Sequence, residues 1–266
     1  MLHGGGGLHV RDGRGGTIRL PRVLGVIERR LLVNWSVDAD VLARVLPPPF
    51  RPKLVRGRGV AGICLIRLAR IRPAFVPEAI VGSECGLRSE NAAHRVAVVW
   101  DEDGREREGV YVERRDTSSR LVTMTGGRIF PGVQHLADFR VEEEGDAISV
   151  ELTSRDGAVD VAVAGRAAAT VPSGSLFSTL GDASRFFEAG SLGWSVTPDA
   201  GRFHGLELAS RGWKVEPFDV ERVHSNWIDD PARFPRGSAE FDCALLMRGI
   251  EHEWVAHDDL CCAAAV

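Results

Sequence analysis

The stretch HRVAVVWDEDGREREGVYVERRDTSSR, residues 94–120, decides the fold. His94 to Trp100 is an apolar arm, Gly109 to Arg114 is a second, and DEDG stands between them. Asp-Gly flanked by such arms is a strong short-range hairpin signal. A turn centred near Asp103-Gly104 sets His94 opposite roughly Glu113 and brings Glu90 and Asn91 close to Asp116 and Thr117. The open end of one hairpin then gathers Glu90, Asn91, His94, Arg114 and Arg115, a set of proton-transfer and anion-binding groups. The same set also fits an ion-pair network at a strand end, since such networks perturb pKa values too. Adjacent strand residues point to opposite faces, so only one of Arg114 and Arg115 can face inward while the pleat continues.

Outward from this hairpin, the chain reads as many short strands with few helices. RLLVNWSV (30–37) is a strand, followed by a short helix with Ser36 as cap and Pro47-Pro48-Pro49 as stop. GVAGICLIRLARI (59–71) is a strand buried on both faces, with Arg67 and Arg70 in its second half. Residues 72–87 read as a long surface loop suited to act as a lid. After the hairpin, Asp116 or Thr117 caps a short helix over SSRLVTMT, ended by Gly126-Gly127. Its N-terminus adds N–H donors for an anion beside Ser118, Ser119 and Arg120. Three strands with hairpin turns fill Val133 to Val171. A helix follows over LGDASRFFEAG (180–190), with Asp182 as cap, and further strands run to Ala256. The expected class is mainly β (α+β), an antiparallel barrel or curved sandwich with a few short helices. The division is a Gly-rich tail (1–19), one domain (20–256) and a frayed C-terminal tail (257–266).

The chain has 266 residues, is 44% hydrophobic and carries a net charge of −4 with pI near 6.1. That balance gives no electrostatic reason for a nucleic-acid partner. No apolar run approaches the ~20 residues that span a bilayer, and no signal peptide is evident. The expectation is a cytoplasmic protein without nucleic-acid or membrane partners, with homo-oligomer formation left open. Cys64, Cys85, Cys243, Cys261 and Cys262 are odd in number and irregular in spacing, which argues against a disulfide framework or zinc ribbon. EHEWVAH spaces His252 and His257 poorly for one metal, so no metal and no cofactor are expected. GxGxxG, GxxxxGK[ST], GxSxG and HExxH are missing. Among 33 basic residues only Lys53 and Lys214 are lysines, so lysine chemistry has two candidates.

The segments LLVNWSVDADVLARVLPPPFRP, SENAAHRVAVVW, EGVYVERRDTSSRL, GGRIFPGVQH, FFEAGSLGWS and EFDCALLMRGIEHEW together resemble the YqjF-like bacterial family of unknown function (domain-of-unknown-function family 2071). That family is similar to the acetoacetate decarboxylase-like superfamily. The resemblance implies a cone-shaped antiparallel β-barrel with an internal cavity. Acetoacetate decarboxylase uses a Schiff-base lysine in a Gly-Tyr-Pro-Lys-Lys strand motif, its pKa lowered by the lysine beside it. Here Gly109-Val110-Tyr111-Val112-Glu113-Arg114-Arg115 is the nearest match, with arginines in place of lysines. An arginine keeps its proton and forms no imine. The implied pocket suits a small carboxylate or keto acid, because arginine forks bind carboxylates bidentately. Two readings stand. The first is a non-imine lyase or isomerase-type enzyme, with Glu90 or His94 moving a proton, Tyr111 assisting, and Asn91, Arg114, Arg115, Ser118, Ser119 and Arg120 binding substrate. The second is a non-catalytic small-molecule binding protein in the same fold.

Overall fold

The computed structural model describes residues 8–11, 17–20, 22–74, 76, 87–124 and 132–261. Most of the loop read as a lid and the glycines expected to end the helix after the hairpin lie outside the described residues. β1 (Leu8–Arg11) and β2 (Thr17–Leu20) pair with each other alone. The remaining strands form one sheet.

The sheet is built on a five-strand antiparallel wall. In order across it stand β8 (Arg105–Thr117), β7 (Leu87–Glu102), β6 (Arg58–Pro73), β3 (Val23–Asp38) and β15 (Ala239–Ala256). β4 (Arg51–Pro52) and β5 (Leu54–Val55) attach to β7 and β6. Two arcs join the outer strands of the wall. One runs through β9 (Gln134–Glu144), β10 (Ala147–Ser154), β11 (Asp160–Ala167) and β14 (Glu216–Ser225). The other runs through β12 (Leu192–Val196) and β13 (Arg202–Arg211). β9 pairs with the late half of β8 at Arg115–Thr117, and β12 with its earlier part at Val110–Val112, both in parallel. The pairings therefore close into a ring of strands, which leaves the wall without a free edge.

Period-two alternation divides the wall between two cores. Leu31, Val33, Trp35 and Val37, with Ala61, Ile63 and Leu65, join one cluster that includes Val150, Val161 and Phe218 from the longer arc. Leu32, Cys64, Ile66, Leu68, Leu245 and Met247 join the other, which α3 (Leu180–Ala189) covers with Ala183 and Phe187. A strand buried on both faces needs a nearly continuous apolar run, and GVAGICLIRLARI supplies it.

The hairpin turn is where the sequence puts it. Asp103 and Gly104 both take positive φ, at 52° and 73°, as a two-residue loop of type I′ requires. A bulge between His94 and Arg95 then advances the register, so His94 pairs with Arg114 rather than Glu113. Asn91 pairs with Thr117 and Ala92 with Asp116.

Helix starts differ from expectation. α1 (Ala39–Val45) is capped at Asp38, because Ser36 is still extended and its hydroxyl accepts from Arg58 Nε at 2.6 Å. α2 (Arg120–Met124) starts after Ser119, whose hydroxyl accepts the Val122 N–H at 3.4 Å. Asp116 and Thr117 remain in β8. α3 is capped by Thr179, not Asp182: the Thr179 hydroxyl accepts the Asp182 N–H at 3.1 Å and donates to the Asp182 carboxylate at 2.8 Å. The strand expected to run through NWI stops at Ser225, and Asn226–Asp229 turns into α4. Beyond β15, β16 (Leu260–Cys261) pairs with Arg202 and Phe203. Among the described residues no helix is long and apolar enough to cross a membrane.

Candidate functional site

The alternation that builds the two cores also separates the residues of the hairpin's open end. A cavity of about 70 Å³ lies against the α3-covered face of the wall. Its apolar sides come from Ile66, Leu68 and Ile71 of β6, Ala93 of β7, Leu206 of β13 and Trp254 of β15. A buried water needs only about 10–15 Å³ of such space, so the volume suits a molecule of a few heavy atoms. A bulge in β6 between Leu68 and Ile71 shifts the phase of that strand, so Ile71 rather than Arg70 continues the cavity side.

Arg115 is the cation of this cavity, held in β8 beside Ala93. Its Nε donates to Ser195 Oγ at 3.0 Å, and it pairs with no carboxylate among the described residues. Loss of solvation lowers its pKa to about 10. Ser195 is buried in β12. Gly132, at φ 85°, packs so close that a Cβ would lie 2.7 Å from the Ser195 Cβ. The Trp254 Nε1–H is buried without a partner. The other polar neighbours are committed. Asn91 donates to Ser89 Oγ at 2.9 Å and accepts from Thr117 Oγ1 at 2.8 Å.

Asn91, Arg115 and Ser119 therefore line the cavity. Ser118 and Arg120 are exposed at its end of the hairpin. The Ser118 N–H bonds the Glu90 carbonyl at 2.9 Å, and its hydroxyl accepts the Glu90 N–H at 3.0 Å.

Glu90, His94, Tyr111 and Arg114 belong elsewhere. Glu90 accepts from Arg29 Nη2 at 2.6 Å and from Arg67 Nε, and both arginines also meet Glu143. Arg114 grips Asp116 at 2.8 Å and Asp156 at 2.9 Å. Desolvation nevertheless raises the Asp116 pKa, against the pull of Arg114. Tyr111 packs on Phe50 and Phe203 at 5.5 and 6.0 Å, and burial raises its pKa. His94 is fully buried, 5.2 Å from the Trp227 ring, and neither ring nitrogen has a hydrogen-bond partner among the described residues. The period of two, reset in β8 by the bulge opposite His94 and Arg95, puts these side chains across the wall from Arg115, so proximity along the hairpin does not make one site.

Burial lowers the His94 pKa to about 3, with Arg114 and Arg233 adding repulsion. The sign follows from linkage. The unfolded chain binds this proton near pH 6.5 and the folded chain near 3. Stability is therefore full above about 6.5 and falls as pH drops toward 3, at up to roughly 1.4 kcal/mol per pH unit. His94→Phe is expected to flatten the pH dependence of unfolding free energy across that window. An unchanged slope would show that His94 does not titrate on unfolding.

Sequence reading missed Ser195 and Trp254. In FFEAGSLGW, Glu188 is exposed and Ser191 borders a different, surface groove. EHEWVAH contains Trp254, whose place beside Arg115 depends on the pairing of β15 with β13.

The family model for an uncharacterised conserved protein, DUF2071, matches residues 27–232. No curated protein matches the chain by sequence. Solved structures share the fold at low identity. An acetoacetate decarboxylase from Legionella pneumophila aligns with TM-score 0.58 and 13% identity, covering 91% of this chain and 89% of that one. The enduracididine biosynthesis enzyme MppR complexed with pyruvate aligns with TM-score 0.55 and 12% identity, covering 93% of each. An acetoacetate decarboxylase-like enzyme from Sphingomonas wittichii RW1 aligns with TM-score 0.56 and 11% identity, covering 97% and 100%. The fold is thus acetoacetate decarboxylase-like.

Proposed function

The chain belongs to the uncharacterised DUF2071 family, and from that premise we propose that it binds a small organic acid in the Arg115 cavity. One observation carries this reading: Arg115 has no carboxylate partner among the described residues and lines a cavity with apolar sides, and the one acid that borders it, Asp116, is held by Arg114. A half-buried cation in an apolar setting gains from a counter-ion, and a carboxylate supplies one with two acceptor oxygens. The unpartnered Trp254 Nε1–H offers a further donor, and Ile66, Leu68 and Leu206 suit an apolar tail. The pyruvate complex of MppR supports a small acid as a guest of this fold.

Binding, not proton transfer, is the proposed role. Glu90 is neutralised by two arginines, and His94 stands outside the cavity lining. Imine chemistry finds no support either. Lys53 pairs with Glu108 at 2.6 Å and lies over the Phe186 ring at 4.4 Å, and Lys214 is exposed.

Short apolar monocarboxylates are expected to raise the melting temperature in proportion to occupancy, and amides of the same shape to leave it unchanged. Borohydride treatment with pyruvate or acetoacetate is expected to leave the intact mass unaltered. A trapped adduct on either lysine would restore the imine mechanism, and equal shifts from acids and amides would remove Arg115 as the anchor.

A further inference from the structure

Arginines on the two faces of the wall differ in their partners. Arg29, Arg67, Arg114 and Arg233 each meet a carboxylate. On the face that carries Cys64, Arg30, Arg95 and Arg115 meet none among the described residues. Arg30 Nε donates to Cys64 Sγ at 3.1 Å. Arg95 Nη2 donates to Asn34 Oδ1 at 2.7 Å, its guanidinium lies 5.1 Å from the Phe187 ring centre, and its Nε is buried without a partner. Arg95 is 4% exposed.

Arg115 opens into the cavity already described. Arg30 and Arg95 do not line it. They border a second, smaller space of about 20 Å³, closed by Leu32, Lys53, Phe186 and Phe187. Lys53 is neutralised by Glu108. Among the described residues no carboxylate lines this space, so two cations face it uncompensated. By the measure of about 10–15 Å³ per buried water, it holds one atom-sized guest and excludes carboxylates and phosphates.

We propose that this space, beneath α3 and between Arg30 and Arg95, is a buried site for one monatomic anion of chloride size. The argument is electrostatic. Two guanidiniums at one small cavity repel each other where the dielectric constant is low, and Arg95, buried by its surroundings, has lost its hydration. An anion between them turns that repulsion into attraction and gives Arg95 Nε an acceptor. The surroundings are fixed for it. Asn34 holds Arg95 through its Oδ1, and Gly62 leaves room for that contact, since a Cβ there would press on Asn34 Oδ1 at 3.0 Å. Desolvation, with repulsion from Arg30 added to it, lowers the Arg95 pKa to about 10, which agrees with a cation lacking its counter-ion.

Unfolding in sodium chloride and in sodium gluconate at matched ionic strength tests the site, because gluconate is too large to enter. Chloride is expected to raise the unfolding midpoint by several degrees over gluconate, and Arg95→Met to abolish the difference. If that variant does not fold, crystals of the unaltered protein soaked in bromide decide the matter. An anomalous peak between Arg30 and Arg95 is expected. Equal midpoints in the two salts, or bromide sites confined to the surface, would overturn the proposal.

Discussion

Arg115→Lys is expected to weaken binding of a small carboxylate roughly 10- to 100-fold. Lysine keeps the charge but offers a single ammonium where the guanidinium presents a planar fork. Hydrogen bonds to charged groups contribute about 1.5–3 kcal/mol each, and about 1.4 kcal/mol is a factor of ten in affinity. Losing one fork contact therefore accounts for the fall. Arg115→Met is expected to abolish binding and to raise the melting temperature of the ligand-free protein. That gain follows from removing a cation that its surroundings desolvate and that no carboxylate among the described residues compensates. Calorimetric titration and thermal unfolding of the three proteins check both statements. A methionine variant less stable than the parent, with the lysine variant binding as before, would make Arg115 a structural residue.

Glu90→Gln carries the second large effect, and it falls on stability. Arg29 is 2% exposed and shares Glu90 with Arg67. Glutamine keeps the shape but not the charge, so two arginines would depend on the partly exposed Glu143 alone. Removing one partner of a buried ion network costs about 3–5 kcal/mol, a large part of the 5–15 kcal/mol typical of a folded domain. The melting temperature is expected to fall sharply while carboxylate affinity at the native temperature stays within about twofold, since additivity holds for sites without shared partners. A variant of unaltered stability that no longer binds the acid would return Glu90 to the site.

The fold was legible because its signals are local. Asp103-Gly104 announced the hairpin, the unbroken apolar run at 59–71 announced a strand buried on both faces, and the turns after Val133 announced a meander. The resemblance to acetoacetate decarboxylase-like proteins agrees with the fold found. The site was legible only in part. The pleat rule required one of Arg114 and Arg115 to turn away, but not which, because a bulge at His94 sets the phase. Ser195, which bonds Arg115, and Trp254, which shares its cavity, come from strands far along the chain. Ser195 is 80 residues away, and nothing in SLGWS signals that pairing. Glu90 and His94 looked like catalytic groups because closeness along a hairpin is visible in sequence, whereas the face each side chain occupies depends on register.

A crystal structure of the protein with an apolar monocarboxylate, such as isobutyrate, tests the central claim most directly. The carboxylate is expected to lie against the Arg115 guanidinium, with its tail between Ile66, Leu68 and Trp254. A carboxylate bound instead at Arg114 or at the Arg29–Glu90 network, or a cavity holding only water at saturating ligand, would contradict it.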